Sequence, residues 1–146
     1  MGRKPKFEPK KFESINKGRP FKDHKGKNVA DTSANIYESM LRSQAFKDLN
    51  TKSKMLYVYC KSQYYGKRKP RVDYPLISVF NDDSCFYLSW RDIQNYGLYT
   101  DTQHSNFYKD MKVLIEHGFI ERVASGRTNR TKTIYRFSAR WIEWRQ

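Results

Sequence analysis

No apolar run in this sequence approaches the roughly 18 residues that a membrane-spanning helix needs. The opening residues, MGRKPKFEPKKF, also lack the hydrophobic stretch of a secretion signal. A Met-Gly start suits N-myristoylation, but Lys6 stands where that signal wants a hydroxyl. The expectation is a cytoplasmic protein with no membrane partner. Cysteine is scarce: Cys60 and Cys85 each sit in an apolar segment, where a free thiol behaves as a small hydrophobe. Two thiols with no companion cluster make no zinc site. The three histidines, His24, His104 and His117, form neither an H-x-H nor an H-E-x-x-H pair. A DNA-nicking relaxase would need such a cluster beside a tyrosine. Asp82-Asp83, in a polar turn, reads as a solvated pair rather than a two-carboxylate metal site. Neither an enzyme nor a cofactor is expected.

Acidic residues are the other shortage. There are 15 Asp+Glu against 29 Lys+Arg, a net charge of +14 on 146 residues. That surplus resists self-association and favours a polyanionic partner. Aromatic residues make up 16% of the chain, enough to build a core, so wholesale disorder is not expected. The charge is unevenly spread. Residues 1–30 carry ten Lys/Arg and three acids, hence +7, and no apolar period. They read as a flexible basic arm, and residues 31–146 as one domain.

In that domain, TSANIYESMLRSQAFKDL places Ile36, Met40 and Leu41 at helical spacing, with Thr32 or Ser33 to cap it. A second helix is expected over about 52–65, capped by Thr51 and stopped by Gly66, with Met55, Leu56, Tyr59 and Cys60 on its inner stripe. GKRKPRVDYP breaks the pattern and reads as a loop. LISVF and CFYLS resemble short strands. Ser89 then caps WRDIQNYG, which Gly97 stops, and LYTDTQ forms a turn with Thr100, Asp101 or Thr102 as the next cap. SNFYKDMKVLIEHG is a longer helix with Phe107, Met111, Leu114 and Ile115 inside and Gly118 at its end. FIERV and TIYRF alternate as strands around ASGRTNRTK, and SARWIEWRQ can add a last helical turn. Its Trp141, Ile142 and Trp144 either cap the core or form a dimer surface.

Helix, short helix, tight turn, longer helix and a ribbon with a Gly- and Arg-rich tip describe a winged helix-turn-helix. The fold class expected is therefore α+β, mainly α, with a disordered basic N-terminal arm. The N-terminal turn of the longer helix would face DNA. Thr102, Gln103, Ser105 and Asn106 are small and polar, and Lys109 follows on the same side. Asn and Gln can pair with adenine, while Lys and hydroxyls reach guanine or phosphate. His104 stands among them. The wing tip supplies Arg127, Asn129, Arg130 and Lys132, with no acid between them, suited to phosphate or a narrow minor groove.

The block LIEHGFIERV resembles the L-x-x-x-G-[LFY]-I that closes the recognition helix and opens the wing in many bacterial winged-helix proteins. Leu114, Gly118, Phe119 and Ile120 carry the match. SQAFKDLNTKSKMLYVYCKSQ resembles the opening of N-terminal domains in plasmid replication initiators of the RepA_N type, through Phe46, Leu49, Thr51, Lys54, Leu56 and Tyr57. The likeness spans roughly residues 33–137. Small basic winged-helix proteins of this pattern serve conjugative plasmids and transposons of Gram-positive bacteria. There they act as transfer accessory factors or repressors, and at this length that role is expected over initiation. In the arm, Lys17-Gly18-Arg19-Pro20 resembles an AT-hook core, in which Arg lies in an A·T-rich minor groove. A non-specific phosphate-binding arm is the plainer alternative.

The resemblance thus implies a double-stranded-DNA-binding protein, a sequence-specific accessory factor or transcriptional repressor. Its helix at about 102–117 would read the major groove and its wing at about 124–132 would contact the backbone. A plasmid replication initiator, an RNA-binding module and a protein-interaction module are the competing readings. A homodimer and transfer or replication proteins are the candidate partners beside DNA.

Overall fold

The structure, a computed structural model, describes residues 20–29, 31, 34–63, 85–125 and 133–146. The chain divides into two compact units, Met1–Ser33 and Ala34–Gln146, three residues beyond the boundary that charge suggests. Within the first unit, β1 (Phe21–Lys22) pairs antiparallel with β2 (Asn28–Val29). This corrects the expectation that residues 1–30 hold no fold element. Local hydrogen bonding rather than burial makes the ribbon. The Asp23 carboxylate accepts from the N–H groups of Lys25 and Lys27, each at 2.9 Å, and Gly26 takes φ 76°. Asp is suited to such turns because its short side chain reaches its own downstream backbone.

The second unit is α+β. Its described helices are α1 (Glu38–Leu41), α2 (Gln44–Asp48), α3 (Thr51–Ser62), α4 (Trp90–Gln94) and α5 (His104–Glu116). The strands β3 (Cys85–Tyr87), β4 (Ile120–Ala124) and β5 (Ile134–Phe137) form an antiparallel sheet in the order β3-β5-β4. A 3₁₀ turn, Arg140–Ile142, follows. The helix expected within 32–49 is broken in two, with its first cap at Tyr37. Ser43 causes the break: its hydroxyl donates to the Met40 carbonyl at 2.6 Å and accepts from Phe46 N–H at 3.1 Å. One side chain thus closes α1 and caps α2. Thr32 and Ser33 lie outside the described residues. For α3 the cap is Asn50, one residue before the expected Thr51, with its side-chain oxygen 2.8 Å from Ser53 N. The inner stripe of α3 also differs. Tyr57 is buried, whereas Met55 is 40% exposed. Tyr57 is held by aromatic neighbours, Phe119 at 5.0 Å and Phe137 at 6.2 Å between centroids.

The core sits where α3, α5 and the sheet meet, around Leu56, Phe86, Ile93, Phe107, Leu114, Phe119 and Ile120. Cys60 and Cys85 are both buried, as expected, and neither is in a disulfide. The C-terminal segment closes the core: Trp141 stacks on Phe119 and Trp144 on His117, while Ile142 stays exposed. The expected strand LISVF, the 66–75 loop, Asp82 and Asp83 lie outside the described residues.

Candidate nucleic-acid interface

The junction between α4 and α5 is built by short-range chemistry. Ser89 and Asp92 form a reciprocal capping box: Asp92 N–H donates to the Ser89 hydroxyl at 3.2 Å, and Ser89 N–H to the Asp92 carboxylate at 3.1 Å. After Gln94 the chain reverses at Gly97, whose φ of 74° a side chain would make costly. Tyr99 then plugs the turn into the core and donates from its hydroxyl to Asp110 on α5 at 2.6 Å. Burial first, and the Asp110 carboxylate second, push that phenol well above its ordinary range.

The start of α5 differs from the sequence expectation. Its N-cap is Gln103, not Thr100, Asp101 or Thr102, and the Gln103 side chain makes no capping hydrogen bond. Gln103 bends back instead. Its side-chain oxygen accepts from Thr100 N–H at 3.0 Å and from Lys52 Nζ at 3.4 Å. Lys52 also lies 5.1 Å from the centre of the Tyr99 ring. Gln103 is thus half-buried bracing for the turn, less free to reach a base than the sequence implied.

Along α5, Phe107, Met111 and Leu114 face the core at spacings of four and three. The opposite face exposes Ser105, Asn106, Lys109, Lys112 and Glu116. Lys112 and Glu116 are only loosely paired, at 3.9 Å. His104 and Tyr108 form an exposed aromatic pair, 5.1 Å between centroids, with Trp90 5.0 Å behind His104. Of the helix residues singled out from sequence, Ser105, Asn106 and Lys109 share the exposed face, His104 flanks it, and Thr102 is exposed in the turn. Tyr108 and Lys112 were missed. Their signal was available: both fall outside the 107, 111, 114 stripe.

The far end of α5 explains the LIEHGFI block. Gly118, at φ 82°, lets Gly118 N–H reach Ile115 O at 3.1 Å and Phe119 N–H reach Leu114 O at 3.0 Å. Those two bonds close the helix in a Schellman motif whose apolar contact is Leu114 with Phe119. Ile120 then opens β4 directly. β4 pairs with β5 through Ile120↔Phe137, Glu121↔Arg136 and Arg122↔Tyr135, and a bulge at Val123 precedes Ala124↔Ile134. The tip residues Arg127, Asn129, Arg130 and Lys132, and the arm residues Lys17 and Arg19, lie outside the described residues.

Among the described residues no cluster of three or more His, Cys, Asp or Glu could hold a metal ion, and no helix is long and apolar enough to cross a membrane. Comparison with protein-family models, curated proteins and solved structures returns no match.

Proposed function

We propose that the chain binds double-stranded DNA through a winged helix-turn-helix, with α4, the 95–103 turn and α5 as the helix-turn-helix and β4–β5 as the wing. The observation that carries this reading is the two-sidedness of α5. Phe107, Met111 and Leu114 lock one side into the core, and Ser105, Asn106 and Lys109 stand free on the other. Rigid anchoring behind small polar groups is what base-edge reading in the major groove requires. Nothing acidic occupies the first turn of the helix, so its positive dipole end is free to favour phosphate.

Charge supports the same partner. The net charge of +14, half of it in residues 1–30, supplies salt-sensitive affinity for any duplex. We assign base reading to Ser105, Asn106 and Lys109, with Thr102 and His104 beside them. Gln103 keeps a supporting part. Arg127, Asn129, Arg130, Lys132, Lys17 and Arg19 act chiefly through phosphate or the minor groove. The biological setting, an accessory factor or repressor of a conjugative plasmid or transposon, rests on the sequence resemblance.

Footprinting on the DNA flanking its own gene tests the reading. A discrete protected site, bound more tightly than a single strand of the same sequence, is the expected outcome. Preference for single strands or RNA overturns it. A palindromic footprint would point to a homodimer, since two-fold protein symmetry is mirrored in the site.

A further inference from the structure

A groove of about 560 Å³ runs between α5 and the β4–β5 ribbon, within the range of small-molecule sites. Tyr108, Met111, Lys112 and Ile115 form its helical wall, spaced as one face of α5. Arg122 and Tyr135 form the opposite wall, neighbours across the β4–β5 register. The bulge at Val123 falls immediately after Arg122, and bulges of this kind re-aim side chains beside binding sites. Met111 and Tyr135 are almost fully buried and Tyr108 is 50% exposed, so the groove has an apolar floor and one open aromatic flank.

Its charge is one-sided. Glu121 is the acid at the rim, and Arg136 holds its carboxylate through Nη2 at 2.5 Å and Nε at 2.7 Å. Among the described residues, Lys112 has only its long, solvent-exposed pairing with Glu116. Arg122 makes no ion pair among the described residues.

We infer that this groove is a binding site for a small planar aromatic anion, the ring against Tyr108 and over Met111 and Ile115, the anionic group on Arg122 and Lys112. An aromatic ring gains from offset contact with tyrosine and from apolar burial. A carboxylate or phosphate gains from the fork of an arginine. A neutral ring forgoes the second contribution, and an aliphatic anion forgoes the first. The inference stands apart from the DNA-binding reading, since no DNA is needed for the groove to fill.

Two sources offer this chemistry, a free aryl carboxylate and an unpaired nucleotide. Calorimetric titration of the full chain with 2-naphthoate, and separately with adenosine 5′-monophosphate, distinguishes them. We expect saturable one-to-one binding of at least one probe. Arg122→Glu and Tyr108→Ala should each weaken it at least ten-fold, as should replacing naphthoate by the neutral 2-naphthamide. Lys47→Gln, at an exposed position of α2 outside the groove lining, should leave it unchanged. Circular dichroism and a melting curve check that each variant is folded, and both altered side chains are exposed. Binding of naphthoate alone identifies a free small molecule, and binding of the nucleotide alone identifies an unpaired base. The inference is overturned if neither probe saturates, if Arg122→Glu and Tyr108→Ala bind like the parent, or if the amide binds as tightly as the acid.

Discussion

His117 Nε2 lies 2.7 Å from Asp48 Oδ2, joining the end of α5 to the end of α2 across 69 residues of sequence. The other ring nitrogen faces Val113 O at 2.8 Å, and the ring stacks on Trp144 at 4.4 Å. Both ring nitrogens therefore lie within hydrogen-bonding distance of an oxygen. A double-mutant cycle with Asp48→Ala and His117→Ala should give a coupling of about 1 kcal/mol, since the histidine is mostly buried but the aspartate is partly in water. Denaturant melts of the four proteins measure it. Strict additivity would mean the contact contributes nothing.

Gly97 and Gly118 should respond differently to alanine. Both have positive φ, but a Cβ at Gly97 meets open space, whereas at Gly118 it falls 2.6 Å from Trp141 N and 2.7 Å from Arg140 C. Gly97→Ala should cost about 1 kcal/mol, the left-handed penalty alone. Gly118→Ala adds a backbone clash that no rotamer relieves and should cost about 3 kcal/mol. Similar losses at both positions would contradict the close approach of the 3₁₀ turn to the end of α5.

Alkaline pH should destabilise the protein. Burial raises the phenols of Tyr57, Tyr99 and Tyr135, and the buried Cys60 thiol, above their ordinary values. Such groups favour folding fully below their unfolded values, about 10 for tyrosine, and lose that contribution as pH rises toward the folded ones. The sign follows because the unfolded chain releases protons that the folded chain keeps. The melting temperature should therefore begin to fall above about pH 9, where the unfolded thiol ionises, and fall more steeply above about pH 10. Tyr99→Phe should lower it at neutral pH but make the alkaline fall shallower. An unchanged alkaline slope in that variant would exclude Tyr99 as a contributor.

On DNA, the exposed and the bracing residues of α5 should separate. Asn106→Ala should reduce discrimination between the specific and an unrelated duplex by about 1–3 kcal/mol. Lys109→Ala should likewise reduce that discrimination, whereas Arg127→Ala with Arg130→Ala should weaken all duplexes and lower the salt slope by about 2. Gln103→Ala should instead lower the melting temperature, because it removes the acceptor of Thr100 N–H and Lys52. Loss of discrimination in Gln103→Ala with unchanged stability would return that side chain to base reading.

Much of the α+β fold was legible where a single side chain or glycine sets the local geometry. Ser89, Gly97 and Gly118 act within a few residues of themselves, so composition and spacing reveal them. The break at Ser43 was less legible, because a serine in an apolar stripe reads equally as a tolerated helical residue. The 21–29 ribbon was hidden by its charge, being held by an Asx-type turn rather than by apolar alternation.

The candidate site divides the same way. The residues alone determined which side of α5 is apolar, since a stripe at 107, 111 and 114 needs only the helical period. They also determined the cationic excess and where half of it lies. Only the tertiary structure decided that Gln103 turns inward, because its partner Lys52 comes from α3, 51 residues away. Likewise it alone brought Arg122 and Tyr135 opposite Tyr108 and Lys112, since that groove exists only once the Gly118 turn folds the ribbon back along α5. Local caps follow from neighbours in sequence, whereas which polar side chains remain free is settled by what packs against them.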